Sequence, residues 1–373
     1  MRKTFKYRIF PNRRQTKLLE RMLDACRWLY NHFLEERRSV WNSKKKSISY
    51  YAQSNTLKVL KQEYPLLSNV HSQVLQNVST RVDLAFKAFF RRVKSSKKQP
   101  GYPRFKGRGR YDSFTYPQSG FKICKNVIKL SKVGEVKIKL HRPIQGKIKT
   151  CTVRRTPTGK WFVSFTCEID HNPIEKSTQP IIGIDMGLER FATFSDGGKI
   201  SNPRFFREEE KALSKTQRKL STQKKGDKPW AKTHKVVARI YERITCKRLN
   251  FAHQETRKIV NKFNTICVED LSINNMRKGN FRGINKSIGD AAWAMFLNLL
   301  DYKAAEASGR VIKVNPAYTS QTCSRCGYRH KLKLSDRVFH CPCCSLILNR
   351  DINAAENILR LGLQSLDASH KSC

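Results

Sequence analysis

The sequence predicts two assemblies in one chain: an antiparallel β-barrel carrying an all-helical insertion, then a mixed α/β domain interrupted by a four-cysteine module. Three observations predict this. Helical periodicity fills residues 12–95, with alternating strand patterns on either side of it. Apolar runs that end in an acid recur at 181–185 and 265–269, and two Cys-x-x-Cys pairs stand at 323–326 and 341–344.

The charge balance says what such a body meets. Lys and Arg total 75 against 29 Asp and Glu in 373 residues, a net charge of +46 spread from Arg2 to Lys371 and not confined to one arm. Positive charge on this scale is expected to neutralise phosphates and release their counterions, so the expected partner is nucleic acid. No apolar run reaches the roughly 18 residues of a membrane span, which argues against a membrane protein. The first ten residues alternate charge with aromatics and offer no secretory signal, so a cytoplasmic protein, nucleoid-associated when bound to DNA, is expected. Cys26, Cys124, Cys151, Cys167, Cys246, Cys267 and Cys373 are scattered without pair spacing, as suits reduced thiols.

Taken in order, residues 2–10 alternate basic residues with Phe5, Tyr7 and Ile9 and read as a strand ended by Pro11-Asn12. Leu18, Leu19, Met22, Leu23, Cys26, Leu29, Tyr30 and Phe33 then mark one face of a helix reaching about Val40. A second helix is expected at 53–61. Pro65 interrupts, and Val70, Val74, Val78, Val82, Leu84, Phe86 and Phe89 mark a third long helix ending at Arg91-Arg92. Residues 95–116 form a basic loop. Tyr102, Phe105 and Tyr111 offer flat faces to bases, and Arg104, Lys106, Arg108 and Arg110 offer charge to phosphates. Alternating segments at 127–130, 135–140, 148–154 and 161–168 complete a small barrel with the N-terminal strand. A polar linker at 173–180 follows.

The α/β part begins with a buried strand, 181–184, ending in Asp185, and a second strand, 191–194, closed by Asp196-Gly197-Gly198. Basic helical sequence covers 205–262, interrupted around 226–230. Strand 265–268 delivers Glu269 at its C-terminal end, where ligands of open sheets collect. A helix at 287–308, a strand at 311–314 and a helix at 351–361 opened by Asp351 complete the layout of an RNase H-like fold. Three carboxylates brought together repel one another unless cations occupy the site, and hard divalent ions suit shared oxygen ligands. Asp185, Glu269 and Asp351 are therefore expected to hold two magnesium ions for hydrolysis of phosphodiesters, with Asp185 bridging and the other two completing one ion each.

Cys323, Cys326, Cys341 and Cys344 form two knuckles fourteen residues apart, the spacing of a zinc ribbon. Four thiolates close a tetrahedral shell, so a zinc ion here is expected to be structural. Cys343 is expected to be a bystander. Arg325, Arg329, His330, Lys331 and Lys333 make the ribbon basic.

Together these motifs resemble the TnpB family, the OrfB proteins of insertion sequences, related to the type V CRISPR effectors. The resemblance covers nearly the whole chain. It is carried by Gly-Ile-Asp-Met-Gly-Leu at 183–188, Val-Glu-Asp-Leu at 268–271, Thr-Ser-Gln-Thr-Cys-Ser-Arg-Cys-Gly at 319–327 and Asp-Ile-Asn-Ala-Ala-Glu-Asn-Ile-Leu at 351–359. It implies an RNA-guided DNA endonuclease with a RuvC-like domain at 181–318 and 348–362, acting through Asp185, Glu269 and Asp351. A zinc ribbon at 319–347 would interrupt it. The resemblance further implies a wedge-like barrel at 1–11 and 96–172 and a helical recognition lobe at 12–95; residues 363–373 are expected to form a disordered tail. The partners implied are a guide RNA from the transposon end, with one protein copy per RNA, and double-stranded target DNA beside a short flanking motif. Asn349 and Ser345 depart from the family pattern without removing a ligand. The alternatives are a nuclease-inactive RNA-guided repressor, whose mark would be a lost acid, and a transposase acting directly on DNA; a tyrosine transposase would want a His-x-His pair, absent here.

Overall fold

Phe5, Tyr7 and Ile9 project to one side of β1 (Arg2–Phe10) and are buried, which fixes the strand's face. This computed structural model describes residues 1–95, 100–170, 180–276, 281–333 and 336–370, and the chain divides into two units, Met1–Asp170 and His171–Cys373.

In the first unit Asn12 ends β1 and begins α1 (Arg13–Lys44). The Asn12 side chain accepts from the Gln15 amide at 2.8 Å, and the Gln15 side chain accepts from the Asn12 amide at 3.0 Å, a reciprocal cap. The helix runs past Val40 until Lys45 turns left-handed, at φ 54°. The single helix expected at 53–61 is two, α2 (Tyr50–Asn55) and α3 (Leu57–Glu63), parted at Thr56, whose hydroxyl donates back to the Gln53 carbonyl. After a 3₁₀ turn at Pro65–Asn69, α4 (Ser72–Lys94) buries Val74, Val78, Val82 and Phe86. Leu84, expected on that face, is 57% exposed: two residues from both Val82 and Phe86, it points to the opposite side of the helix.

Six further strands follow: β2 (Ser113–Tyr116), β3 (Phe121–Cys124), β4 (Val127–Leu130), β5 (Gly134–Lys139), β6 (Lys147–Arg155) and β7 (Trp161–Glu168). All pair antiparallel in the order β2-β6-β7-β1-β5-β4-β3. The outermost strands are consecutive in the chain. In a flat sheet they would lie about 29 Å apart, whereas the residues from Tyr116 to Phe121 span at most about 18 Å. The sheet must therefore curl, and the Tyr116 hydroxyl donates to the Ser131 carbonyl at 2.9 Å across the gap. Helices and sheet bury one common core. Arg81 of α4 ties them together by donating to the Ser113 carbonyl at 2.6 Å and the Thr115 hydroxyl at 3.0 Å of β2.

Of the linker expected at 173–180, all but Pro180 lies outside the described residues. The second unit opens with β8 (Ile181–Met186), β9 (Arg190–Phe194) and β10 (Lys199–Ser201), then α5 (Phe205–Ser221) and α6 (Lys228–Lys262); the helices part at 222–227, earlier than the interruption expected around 226–230, because Pro229 is accommodated in the first turn of α6. β11 (Thr265–Glu269), α7 (Ile273–Met276), α8 (Arg282–Ala291), α9 (Trp293–Glu306) and β12 (Arg310–Val314) follow. The helix expected at 287–308 is broken at Ala292, which is left-handed at φ 53°. The sheet order is β10-β9-β8-β11-β12; β9 runs antiparallel to both its neighbours, and β8, β11 and β12 are parallel.

The short hairpin of β13 (Val338–His340) and β14 (Ile347–Asn349) leads into α10 (Arg350–His370). The tail expected to be disordered from 363 is thus helical as far as His370. Leu363, Gln364, Ser365 and Leu366 contain no breaker, and the helix continues through them. Residues 371–373 lie outside the described residues. One side of the sheet packs on α6, α8 and α9 through Ile184, Phe191, Val268 and Phe296. The other side meets α10, whose Ile358 packs with Cys267 and Val314. Among the described residues no helix is long and apolar enough to cross a membrane.

Candidate active site

Asp185 and Glu269 are brought together by strand register. β8 and β11 pair in parallel, Gly183 opposite Cys267 and Ile184 opposite Val268, so the next step places Asp185 beside Glu269 on the same face. That face is the one under α10. A Cβ at Gly183 would strike the Ala355 carbonyl and Leu359, and one at Gly362 would strike the Cys267 sulfur, so both glycines are sites of close helix–sheet approach.

The close approach also brings in Asp351. From Gly183 to Asp185 the strand advances about 6.6 Å, and from Ala355 back to Asp351 the helix advances about 6 Å. The acid at the start of α10 therefore comes level with the acid near the end of β8. Asp185 is half-buried, Glu269 is buried and Asp351 is half-buried. Burial first, then the charges of Glu269 and Asp351, push the Asp185 carboxyl up to about 8, with Arg350 pulling the other way. Burial likewise raises Glu269, opposed by the Thr319 hydroxyl, which donates to Glu269 Oε1 at 2.6 Å. Carboxylates that resist ionisation in the absence of cations, as Asp185 and Glu269 do, suit hard divalent ions.

Asn349 accepts from the amides of Asp351 at 3.0 Å and Ile352 at 3.3 Å and so caps α10. An asparagine performs this task as an aspartate does. Arg350, adjoining Asp351, donates to the carbonyls of Lys333 and Asp336 and so anchors the start of the helix to the cysteine module.

The four sulfurs of Cys323, Cys326, Cys341 and Cys344 lie within 4.8 Å of one another, with 3.6 Å between 323 and 344 and 3.5 Å between 326 and 341. Zn–S bonds of about 2.3 Å in a tetrahedron set sulfurs about 3.8 Å apart, so the set fits zinc with no position left open. Cys343 is exposed and outside the group, as expected. Two asparagines one turn apart on α10, Asn353 and Asn357, fasten this module and are fully or almost fully buried. Asn353 donates to the Thr322 carbonyl at 2.8 Å and accepts from the Ser324 amide at 2.9 Å; Asn357 donates to the Thr319 carbonyl at 2.9 Å and to that of Thr322 at 2.6 Å. In the sequence Thr319, Asn353 and Asn357 stand within the stretches 319–327 and 351–359 that carry the resemblance, with no role assigned to them. The available signal was the pair of asparagines inside a helix, where that residue is disfavoured unless its amide is used.

In the first unit the basic loop is fastened at its middle by two hydrogen bonds. Asn31 accepts from the Lys106 amide at 2.8 Å and donates to its carbonyl at 3.0 Å. Arg104, Phe105, Arg108 and Arg110 are exposed, and Lys106 is half-buried near the Tyr30 ring. Tyr102 sets its edge against Phe86 and Phe89 yet stays 44% exposed. Tyr111, expected to offer a stacking face, is buried and receives an Arg81 hydrogen bond at 3.3 Å; burial raises its hydroxyl well above the usual tyrosine range. It belongs to the core.

Three family models match the chain: "Cas12f1-like, TNB domain" at 293–358, "Probable transposase" of the OrfB_IS605 type at 164–280, and "Helix-turn-helix domain" of the same type at 1–46. The last span folds here as β1 and the single long helix α1. A "Putative RNA-guided DNA endonuclease" of Streptomyces pristinaespiralis is 34% identical over 97% of this chain and 90% of its own length. The "Putative RNA-guided DNA endonuclease InsQ" of Escherichia coli K12 is 32% identical over 96% and 92%. Among solved structures, a Cas12f1–sgRNA–target DNA complex matches with a TM-score of 0.58 at 17% identity, covering 92% of this chain and 82% of that one. The Cas_phi3 RNA-guided endonuclease matches at 0.55 and 11%, covering 97% and 92%.

Proposed function

Because the chain belongs to the TnpB (OrfB) family, we propose that it is an RNA-guided DNA endonuclease that cuts target DNA beside a short flanking motif. The observation that carries this reading is the convergence of Asp185 and Glu269, in register on parallel strands, with Asp351 at the start of the helix lying over them. Those three carboxylates would hold two magnesium ions, and such ions, when bound, supply an activated water and stabilisation of the departing 3′ oxygen.

The second unit is read as a RuvC-like, RNase H-like nuclease domain at 181–318 and 348–362, interrupted by a structural zinc ribbon at 319–347. In the first unit, residues 1–11 and 96–172, within which the strands β1 to β7 lie, are read as the wedge-like barrel, and residues 12–95 as the recognition lobe. A guide RNA from the transposon end would select the target by base pairing, held by the chain's +46 charge and by the loop of Tyr102, Arg104, Phe105, Lys106, Arg108 and Arg110.

The test is cleavage by the protein purified with its RNA, on DNA matching that RNA, in magnesium. Asp185→Ala, Glu269→Ala and Asp351→Ala are each expected to abolish cutting and spare DNA binding. Full magnesium-dependent cutting by all three variants would sink the assignment.

A further inference from the structure

Glu269 is not held by its own strand alone. Its Oε1 accepts the Thr319 hydroxyl at 2.6 Å, whereas the same hydroxyl lies 3.3 Å from the Pro316 carbonyl. Glu269 and Thr319 are both buried, so no water competes freely for that proton. The hydroxyl therefore fixes one carboxylate oxygen and one rotamer, and leaves the second oxygen for another ligand. Thr319 is itself held in place. Its carbonyl accepts from Asn357, and the segment that follows, up to the first knuckle, is gripped at the Thr322 carbonyl and the Ser324 amide by Asn353 and Asn357. Cys323, one of the four clustered thiols, lies inside that gripped segment and is fully buried.

We propose that Thr319 is a positioning residue for Glu269 and that Asn357 sets Thr319, so that the cysteine module governs divalent-ion affinity at the acid cluster through one buried hydrogen-bonded chain. This rests on the reading of Asp185, Glu269 and Asp351 as ion ligands. It assigns a second task to α10: the helix presents Asp351 at its start and, through Asn353 and Asn357 within its first two turns, fastens the loop that orients Glu269. Partners of metal-ligating side chains of this kind typically change affinity by about 10- to 100-fold when removed.

The test titrates manganese(II), followed by electron paramagnetic resonance, into the full-length protein with its RNA. Thr319→Val, which keeps the shape and removes the hydroxyl, is expected to weaken binding at the acid site by about tenfold or more with zinc content unchanged. Thr319→Ser is expected to stay within about twofold of wild type. Asn357→Ala is expected to weaken binding likewise, and the Thr319→Val/Asn357→Ala pair to be no weaker than Thr319→Val alone, because both act through one bond. Wild-type affinity in Thr319→Val overturns the inference while leaving the ligand reading intact, since Glu269→Gln still loses the ion. Losses that add in the double variant overturn the chain from Asn357 to Thr319. If Glu269→Gln binds manganese as wild type does, the ligand reading itself has failed, and the inference fails with it.

Discussion

Replacing Asp185 by asparagine should stabilise the ion-free protein, and by an amount that depends on pH. The carboxyl titrates at about 8 in the folded chain against an ordinary 3.8. Between those values the folded state retains a proton that the unfolded state has released. The sign follows: any stability associated with this group is complete below about pH 3.8 and is lost as pH rises towards about 8, at about 1.4 kcal/mol per pH unit. The step from pH 5 to pH 7 corresponds to about 3 kcal/mol, an upper figure because the surroundings relax around a charge. Asparagine does not titrate, so the difference in unfolding free energy between variant and wild type separates Asp185, with the neighbouring carboxylates whose charges act on it, from the histidines and carboxylates elsewhere in the chain. Urea unfolding in magnesium-free buffer at several pH values measures it. The variant should gain on wild type steadily from pH 5 to pH 7, and added magnesium should return stability to wild type and not to the variant. A difference that stays flat with pH would refute the burial and charge argument for this site.

Changing Arg104, Lys106, Arg108 and Arg110 together to alanine should weaken nucleic-acid binding and flatten its salt dependence, by up to about 0.9 in logarithmic slope for each phosphate no longer neutralised. Binding measured across a salt series checks this, and an unchanged slope rejects the loop as a phosphate-binding element. Cys344→Ser should abolish zinc binding at the four-cysteine cluster, whereas Cys343→Ser should bind one equivalent, because the exposed Cys343 lies outside the cluster. Metal content by atomic absorption separates the two, and equal content in both variants contradicts the ligand set.

What could be read from the sequence followed strong local rules. Asp185 and Glu269 each end an apolar run, and a parallel register of neighbouring strands then puts them side by side. The knuckle spacing named the four clustered cysteines because two turns of fixed geometry bring their sulfurs together. Long helices were legible from periodicity, and Pro11-Asn12 marked the end of β1 where the structure starts α1. Interactions made far along the chain were not legible. Tyr111 reads as an exposed aromatic in a basic loop, and contacts from far along the chain, with Tyr30 and Arg81 among them, place it in the core. Ala292 breaks a helix although alanine is itself the best helix former. Glycine at 183 marks a buried strand from which a side chain would exclude α10, yet nothing local states which helix lies there. Thr319 acquires meaning only from Glu269, fifty residues away.

The position of the divalent ions is the most direct test of a nuclease centre in this chain. Anomalous scattering from crystals soaked in manganese should show ions about 4 Å apart among the carboxylates of Asp185, Glu269 and Asp351. Manganese bound elsewhere, with those three carboxylates free of it, would contradict that centre.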